Sequence, residues 1–234
     1  MTMSPDLVTQ HTVIVDITDD SRWMEHANRL AAEGYALLTN PALGIDVEHL
    51  MATLSRDVYE ERGRARTIAA LTTDPETGIT EITARARVVI GDILHDDDSI
   101  PPIEAMTFVE PLHGWPHERA SRPIGQIAEI SRFAISERCR TPAMRKSGAT
   151  AWIFRRLYEG CKDAMRRQKA GILYAIMPPY VIRLVDQTAI RVRLIESRFR
   201  TEDSVAARFF HEFSVYFQQS APKLYEFPDA PASI

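Results

Sequence analysis

Two cysteines stand in 234 residues, Cys139 and Cys161, in unlike surroundings. That excludes a disulfide framework and makes a reducing cytoplasm the expected compartment. No apolar run approaches the roughly 18 residues that cross a bilayer, so no membrane span is expected. The opening MTMSPDLVTQH lacks a basic stretch followed by an apolar core, and no secretion signal is expected there. Internal repeats are absent. Metal-ligand spacing is absent too: HDDDS (95–99) and HGWPH (113–117) place histidines in loops without a defensible ligand set, so no metal is expected. With 45% hydrophobic and 26% charged residues the chain is neither disordered nor fibrous.

What the chain does have is an uneven charge. From Arg138 to Lys169 ten basic side chains face two acids, Glu159 and Asp163, a local balance of +8; the remainder must carry −12 to reach the overall −4. Such asymmetry suggests a basic face meeting an acidic partner, the plainer reading being a solvated helix surface.

Periodicity predicts a strand at HTVIVDI, a helix over 19–34 and a second helix over 45–63. Two extended segments follow, joined by the turn DPETG. Residues 91–122 form a long irregular segment, and loops of that length are uncommon unless functional. Then come a strand over 124–136, a long helix from Ala149 ending at Gly171, and the strand ILYAIM. A short helix, the strand AIRVRLIES, a final helix over 202–220 and a Pro-rich tail complete the chain. This order implies a mixed α/β sheet with helices on both faces, and a parallel strand–helix–strand crossover from Ile124 to Met177. The expectation is one domain over 1–234. It comprises a helical acceptor-side region to about residue 64, a core over 65–197, and a C-terminal helix and tail over 198–234.

The strand IGQIAEISRFAIS is apolar except for Glu129, Ser131 and Arg132, and a charge inside such a strand is costly unless paired. By alternation Glu129, Ser131 and Phe133 share one face and Arg132 points to the other, unless the strand bulges. Arg85 and Arg87 share a face of the preceding strand. One reading is a buried ion pair between Glu129 and either arginine. The other has Glu129 taking a proton from a nucleophile while the arginines hold an anionic group of the substrate. RKSGAT (145–150) places Gly148 and small residues at a helix start, where free amides and the dipole suit a phosphate.

The strand AEISRFAIS, the following basic loop and the long helix together resemble the GNAT acyltransferase superfamily. Within it they are similar to acyl-homoserine-lactone synthases and long-chain N-acyl amino acid synthases. The resemblance covers Arg66 to Met177; ARVVIGD is similar to the preceding strand, and SIPPIEAMTF to the loop before the central strand. It implies a GNAT-like fold and an enzyme moving a medium or long acyl chain to the amine of an amino acid or related acceptor. The donor would be the phosphopantetheine arm of acyl carrier protein, or coenzyme A, with no permanently bound cofactor.

In that reading Glu129 is the general base, with Ser131 and Arg132 beside it in the catalytic set. Arg85, Arg87, Phe133 and Ala134 contact substrate. Arg138, Arg140, Arg145 and Lys146, then Gly148, Thr150, Trp152, Arg155 and Arg156, meet the arm or its acidic carrier. SRDVYEERGRARTIAAL lacks the Trp, Phe and paired Asp that accompany S-adenosylmethionine recognition, so a free amino acid is the expected acceptor. Lactone synthesis from S-adenosylmethionine, a binding-only carrier-protein partner and a nucleic-acid-binding regulator are the alternatives. The last lacks any recognisable nucleic-acid motif. Cys139, flanked by Arg138 and Arg140, is a candidate for a lowered thiol pKa.

Overall fold

The computed structural model describes residues 3–55, 57–94, 100–121, 124–200, 207–208, 211–213 and 221–228. The expected final helix and the end of the tail lie largely outside these residues, as does HDDDS. The chain opens with α1 (Pro5–His11), N-capped by Ser4, and β1 (Thr12–Asp16). Next come α2 (Ser21–Ala36), α3 (Val47–Leu54) and α4 (Val58–Glu61).

The expected helix over 45–63 is thus two. Asp57 breaks it by becoming the N-cap of α4, accepting from the Tyr59 amide at 2.9 Å and the Glu60 amide at 3.4 Å. The hairpin forms as β2 (Ala65–Thr73) and β3 (Thr80–Asp92), its turn closed by a hydrogen bond from the Gly78 amide (φ +70°) to the Asp74 carbonyl.

Within the irregular segment lie α5 (Ala105–Phe108) and the short β4 (Val109–Pro111). After β5 (Gln126–Ile135) come α6 (Pro142–Lys146), α7 (Ala149–Arg167), β6 (Ile172–Met177) and α8 (Pro179–Val185). The strand expected at AIRVRLIES is split at Glu196 into β7 (Arg193–Ile195) and β8 (Ser197–Phe199), and β8 pairs with β4 in a separate two-stranded sheet. The tail supplies β9 (Lys223–Glu226), which sequence periodicity missed because it is four residues long.

The main sheet runs β1-β2-β3-β5-β6-β9-β7, antiparallel except for β5 and β6, which are parallel and joined through α7. This is the mixed α/β architecture expected. One stripe of α7 (Ile153, Leu157, Cys161, Met165) packs with Ala84, Ala86 and Val88 of β3 and Ala128 of β5. On the opposite face α2 lies over β2 and β3, with Ala27 packed against Ala69 and Leu71. Gly91 of β3 lies against Pro102, where a Cβ would collide with the Pro102 backbone; Arg64 holds the same turn through the carbonyls of Ile90, Pro101 and Pro102. No helix among the described residues is long and apolar enough to cross a membrane.

Candidate active site

The site begins with an irregularity in β5. Glu129 pairs with Val89 and Ser131 with Arg87, but Ala134 pairs with Arg85, so β5 spends one more residue than β3 between those points. The extra residue is Arg132, at φ +49° in the left-handed region that a β-branched or bulky residue rarely enters. Strict alternation, which put Arg132 on the face opposite Glu129 and Phe133 beside Glu129, is therefore corrected. Arg132 turns to the side of Arg87, whereas Phe133 packs edge-on against Phe154 of α7, ring centroids 4.9 Å apart.

Around the bulge four charged side chains interlock. Asp57 Oδ2 lies 3.0 Å from Arg87 Nε and 2.8 Å from Arg132 Nη1. Glu104 accepts from Arg87 Nη1 at 3.0 Å, and its other oxygen is 3.7 Å from Arg132 Nη2. Arg132 also donates to the Leu54 carbonyl at 3.4 Å. Burial would raise the pKa of Glu104, but Arg87 and Arg132 hold it below the usual carboxylate range.

Glu129 pairs with neither arginine directly. Its Oε2 accepts the Ala105 amide at 2.7 Å, capping the first turn of α5. Burial, then the neighbouring Glu104 charge, push its pKa up to about 8, against the opposing pull of that amide and of Arg87. Asp57 and Glu104 escaped the sequence reading because they reach the bulge from segments 75 and 28 positions before Arg132. The only local hint at Asp57 was a helix-capping residue inside a helical pattern.

Beside the network the sheet opens. β5 and β6 pair at Ile127–Ile172, Ala128–Leu173 and Glu129–Tyr174, and beyond Glu129 they part. The gap is a cavity of about 480 Å³, whose first β5 residue is Ile130; Ser131, Arg132, Phe133 and Ala134 follow along its wall. Glu129, buried at the parting point, stands one residue behind that wall. From one face Thr150, Phe154, Leu157 and Cys161 of α7 line it; from the other Ala31, Gly34, Tyr35 and Leu38 on and just past α2. The solvent-exposed part of the lining carries Arg140, Arg145 and Arg183, the last unassigned by sequence.

Of the remaining residues expected to meet the donor, Thr150 alone lines the cavity. Arg138 pairs with Glu81 at 3.0 Å, Trp152 packs on the core with Arg156 over its ring, and Lys146 and Arg155 are exposed outside the lining. Gly148 caps α7 at φ +81°, a conformation suited to glycine, and Thr150 donates to the Cys139 carbonyl at 2.6 Å. Part of the basic run is neutralised, since Lys162 pairs with Glu159 and Arg166 with Asp163, each at 3.1 Å. Cys139 is corrected: its thiol is fully buried, and burial pushes the pKa up to about 12 despite Arg138. His117 of HGWPH faces the Tyr174 hydroxyl at 3.0 Å, and among the described residues no group of three side chains could hold a metal.

No protein-family model matches the chain, and no curated protein matches it. Solved structures do resemble it. FeeM, an N-acyl amino acid synthase from uncultured soil microbes, is 13% identical over 93% of this chain and 90% of its own, with a TM-score of 0.48. TofI, solved in a ternary complex with an inhibitor and MTA, is 16% identical over 80% and 83%, with a TM-score of 0.45. An acetyltransferase from Streptococcus agalactiae is 12% identical over 93% and 98%, with a TM-score of 0.44. These are likenesses in the course of the chain and carry no residue roles with them.

Proposed function

We propose that the protein is an N-acyltransferase, moving a medium or long acyl chain from a phosphopantetheine thioester to the amine of an amino acid or related acceptor. The observation that carries this reading is the parting of β5 and β6 immediately after Glu129. It creates a cavity with cationic side chains where it meets solvent and apolar side chains within, and it reaches both faces of the sheet. An anionic head with an apolar extension fits that gradient, which suits a phosphopantetheine arm bearing an acyl chain. Arg140 and Arg145 suit its phosphate. Acyl carrier protein is the donor this reading favours, because the exposed bases near that opening, Arg145, Lys146 and Arg155, would meet an acidic surface.

The acceptor amine attacks the thioester carbonyl carbon, forming the C–N bond and moving the carbonyl electron pair onto oxygen. Glu129 takes the amine proton through a bridging water, as its place one residue behind the cavity wall requires. A carboxylate whose pKa stands near 8 is a stronger base than an ordinary one. Backbone amides of β5 beyond Glu129, unpaired with β6, steady the oxyanion. Its collapse breaks the C–S bond, and the leaving sulfur recovers the proton from Glu129. Asp57 and Glu104 hold Arg132 and Arg87 and thereby the bulge.

The test supplies acyl-carrier-protein and coenzyme A thioesters of several chain lengths with a mixture of amino acids, and follows thiol release and N-acyl products by mass spectrometry. Release of free thiol coupled to an N-acyl product is expected. No N-acyl product from any donor would sink the proposal.

A further inference from the structure

Arg85 and Arg87 stand two residues apart on one face of β3, both without solvent exposure, yet they are satisfied differently. The Arg87 fork is occupied by Asp57 and Glu104. Arg85 makes one bond, Nη1 donating to Asn28 Oδ1 at 2.7 Å. Its Nε and Nη2 have neither a hydrogen-bond nor an ion-pair partner among the described residues. Asn28 is neutral, and among the described residues no carboxylate touches this guanidinium, Glu60 acting on it only through its charge. Burial, then the charge of Arg132, pulls its pKa down to about 10. A buried cation with two idle donors is unfavourable unless an anion completes it.

Arg85 and Asn28 do not themselves line the cavity but stand directly behind its wall. Ala134, the register partner of Arg85, lines the cavity, as do Ala31, Gly34 and Tyr35 of α2, the helix that supplies Asn28. These are mostly small side chains, and a Cβ at Gly34 would meet nothing within 4 Å. Tyr35 is the large exception. Burial pushes its pKa up to about 12, so the phenol is neutral, and Arg85 is among the charges near enough to act on it.

We propose that Arg85 is the anion subsite of the acceptor: the amine that is acylated also bears a carboxylate, whose two oxygens take the Nε–H and Nη2–H of Arg85 side-on while Asn28 keeps Nη1. Arg87, already saturated, takes no part in recognition. The identity of the ligand as acceptor rests on the acyl-transfer reading; the anion subsite does not. Amines lacking a carboxylate, and amino-acid carboxamides, are poor ligands, because they leave the buried donors idle.

Calorimetric binding tests this directly, with the full chain, a panel of free amino acids and their carboxamides, and an unreactive thioether analogue of the donor present. At least one amino acid should bind on the order of tenfold or more tighter than its carboxamide. That preference should collapse towards unity in Arg85→Gln. It should collapse also in Asn28→Asp, a near-isosteric change that hands Arg85 an internal carboxylate and leaves the guanidinium in place. Equal binding of acids and amides, no acid binding at all, or a preference that survives both substitutions overturns the proposal. Acid-selective binding without acyl transfer from any donor would instead retire the acyl-transfer reading and leave the subsite standing.

Discussion

Arg132 and Arg87, on opposite sides of a β-bulge, share the one carboxylate of Asp57, at 2.8 and 3.0 Å. The same carboxylate N-caps α4, so one side chain joins a helix start to the irregular point of the sheet. Removing it leaves both guanidinium groups with Glu104 as their one remaining carboxylate partner among the described residues. Asp57→Ala is expected to lower stability by about 3–5 kcal/mol, as for other broken buried ion pairs. Asp57→Asn should lose less, since the amide oxygen still caps α4. Denaturant unfolding of the three proteins checks this; an Ala variant as stable as wild type would mean the network contributes nothing.

Glu129→Gln should lower the rate of acyl transfer about 10²–10⁴-fold. The fold should persist, because the amide oxygen can still accept from Ala105. The comparison is thiol-release kinetics against circular dichroism of the same preparations; an unchanged rate removes Glu129 from the mechanism.

The raised pKa of Glu129 also sets two pH dependences. As a base it must be ionised, so the transfer rate should climb with pH and level off above about 8. For stability the sign is opposite. The folded state holds this proton more tightly than the unfolded chain, so the contribution is fully present below the ordinary carboxylate pKa and is lost as pH rises through about 8. In Glu129→Gln that part of the stability profile should flatten. An unaltered slope between pH 5 and about 8 would place the titration elsewhere.

Charge reversal at the cavity opening separates binding from chemistry. Arg140→Glu with Arg145→Glu should raise KM for the donor on the order of tenfold or more and leave kcat nearly unchanged. Steady-state kinetics with varied donor would show this. A fall in kcat at constant KM would move these arginines from donor binding to the chemical step.

Gly91→Ala should be destabilising by about 1–3 kcal/mol, since its Cβ would strike the Pro102 backbone, which Arg64 holds in place. A thermal melt indistinguishable from wild type would mean the turn yields freely.

Much of this was legible in the chain. The hairpin around DPETG, the apolar stripe of α7 and the parallel crossover follow from periodicity and turn chemistry, which are local. The oddity of Glu129, Ser131 and Arg132 was legible as well, because charge in an apolar strand needs no coordinates to be noticed. Their partners were not: Asp57 and Glu104 arrive from distant segments, and nothing local marks an acid as destined for an arginine far along the chain. Nor was the strand β9, too short to show a period, whose place is fixed by the open edge of β6. The side to which Arg132 points depends on a single backbone dihedral that residue types do not announce. Likewise the pKa of Cys139 followed burial, which the adjacent arginines in sequence could not reveal.

The bulge has a genetic reading. Before it, odd-numbered residues of β5 lie on the face of the sheet opposite α7; after it, even-numbered ones do, as the Ala134–Arg85 pairing shows. Excising Arg132 alone would leave every other residue of the strand on its present side, in unbroken alternation. The strand would then be an ordinary one, apolar towards α7 and regular against β3. One codon thus separates this chain from a plain structural sheet, and the residue it encodes is the one that two carboxylates hold in place.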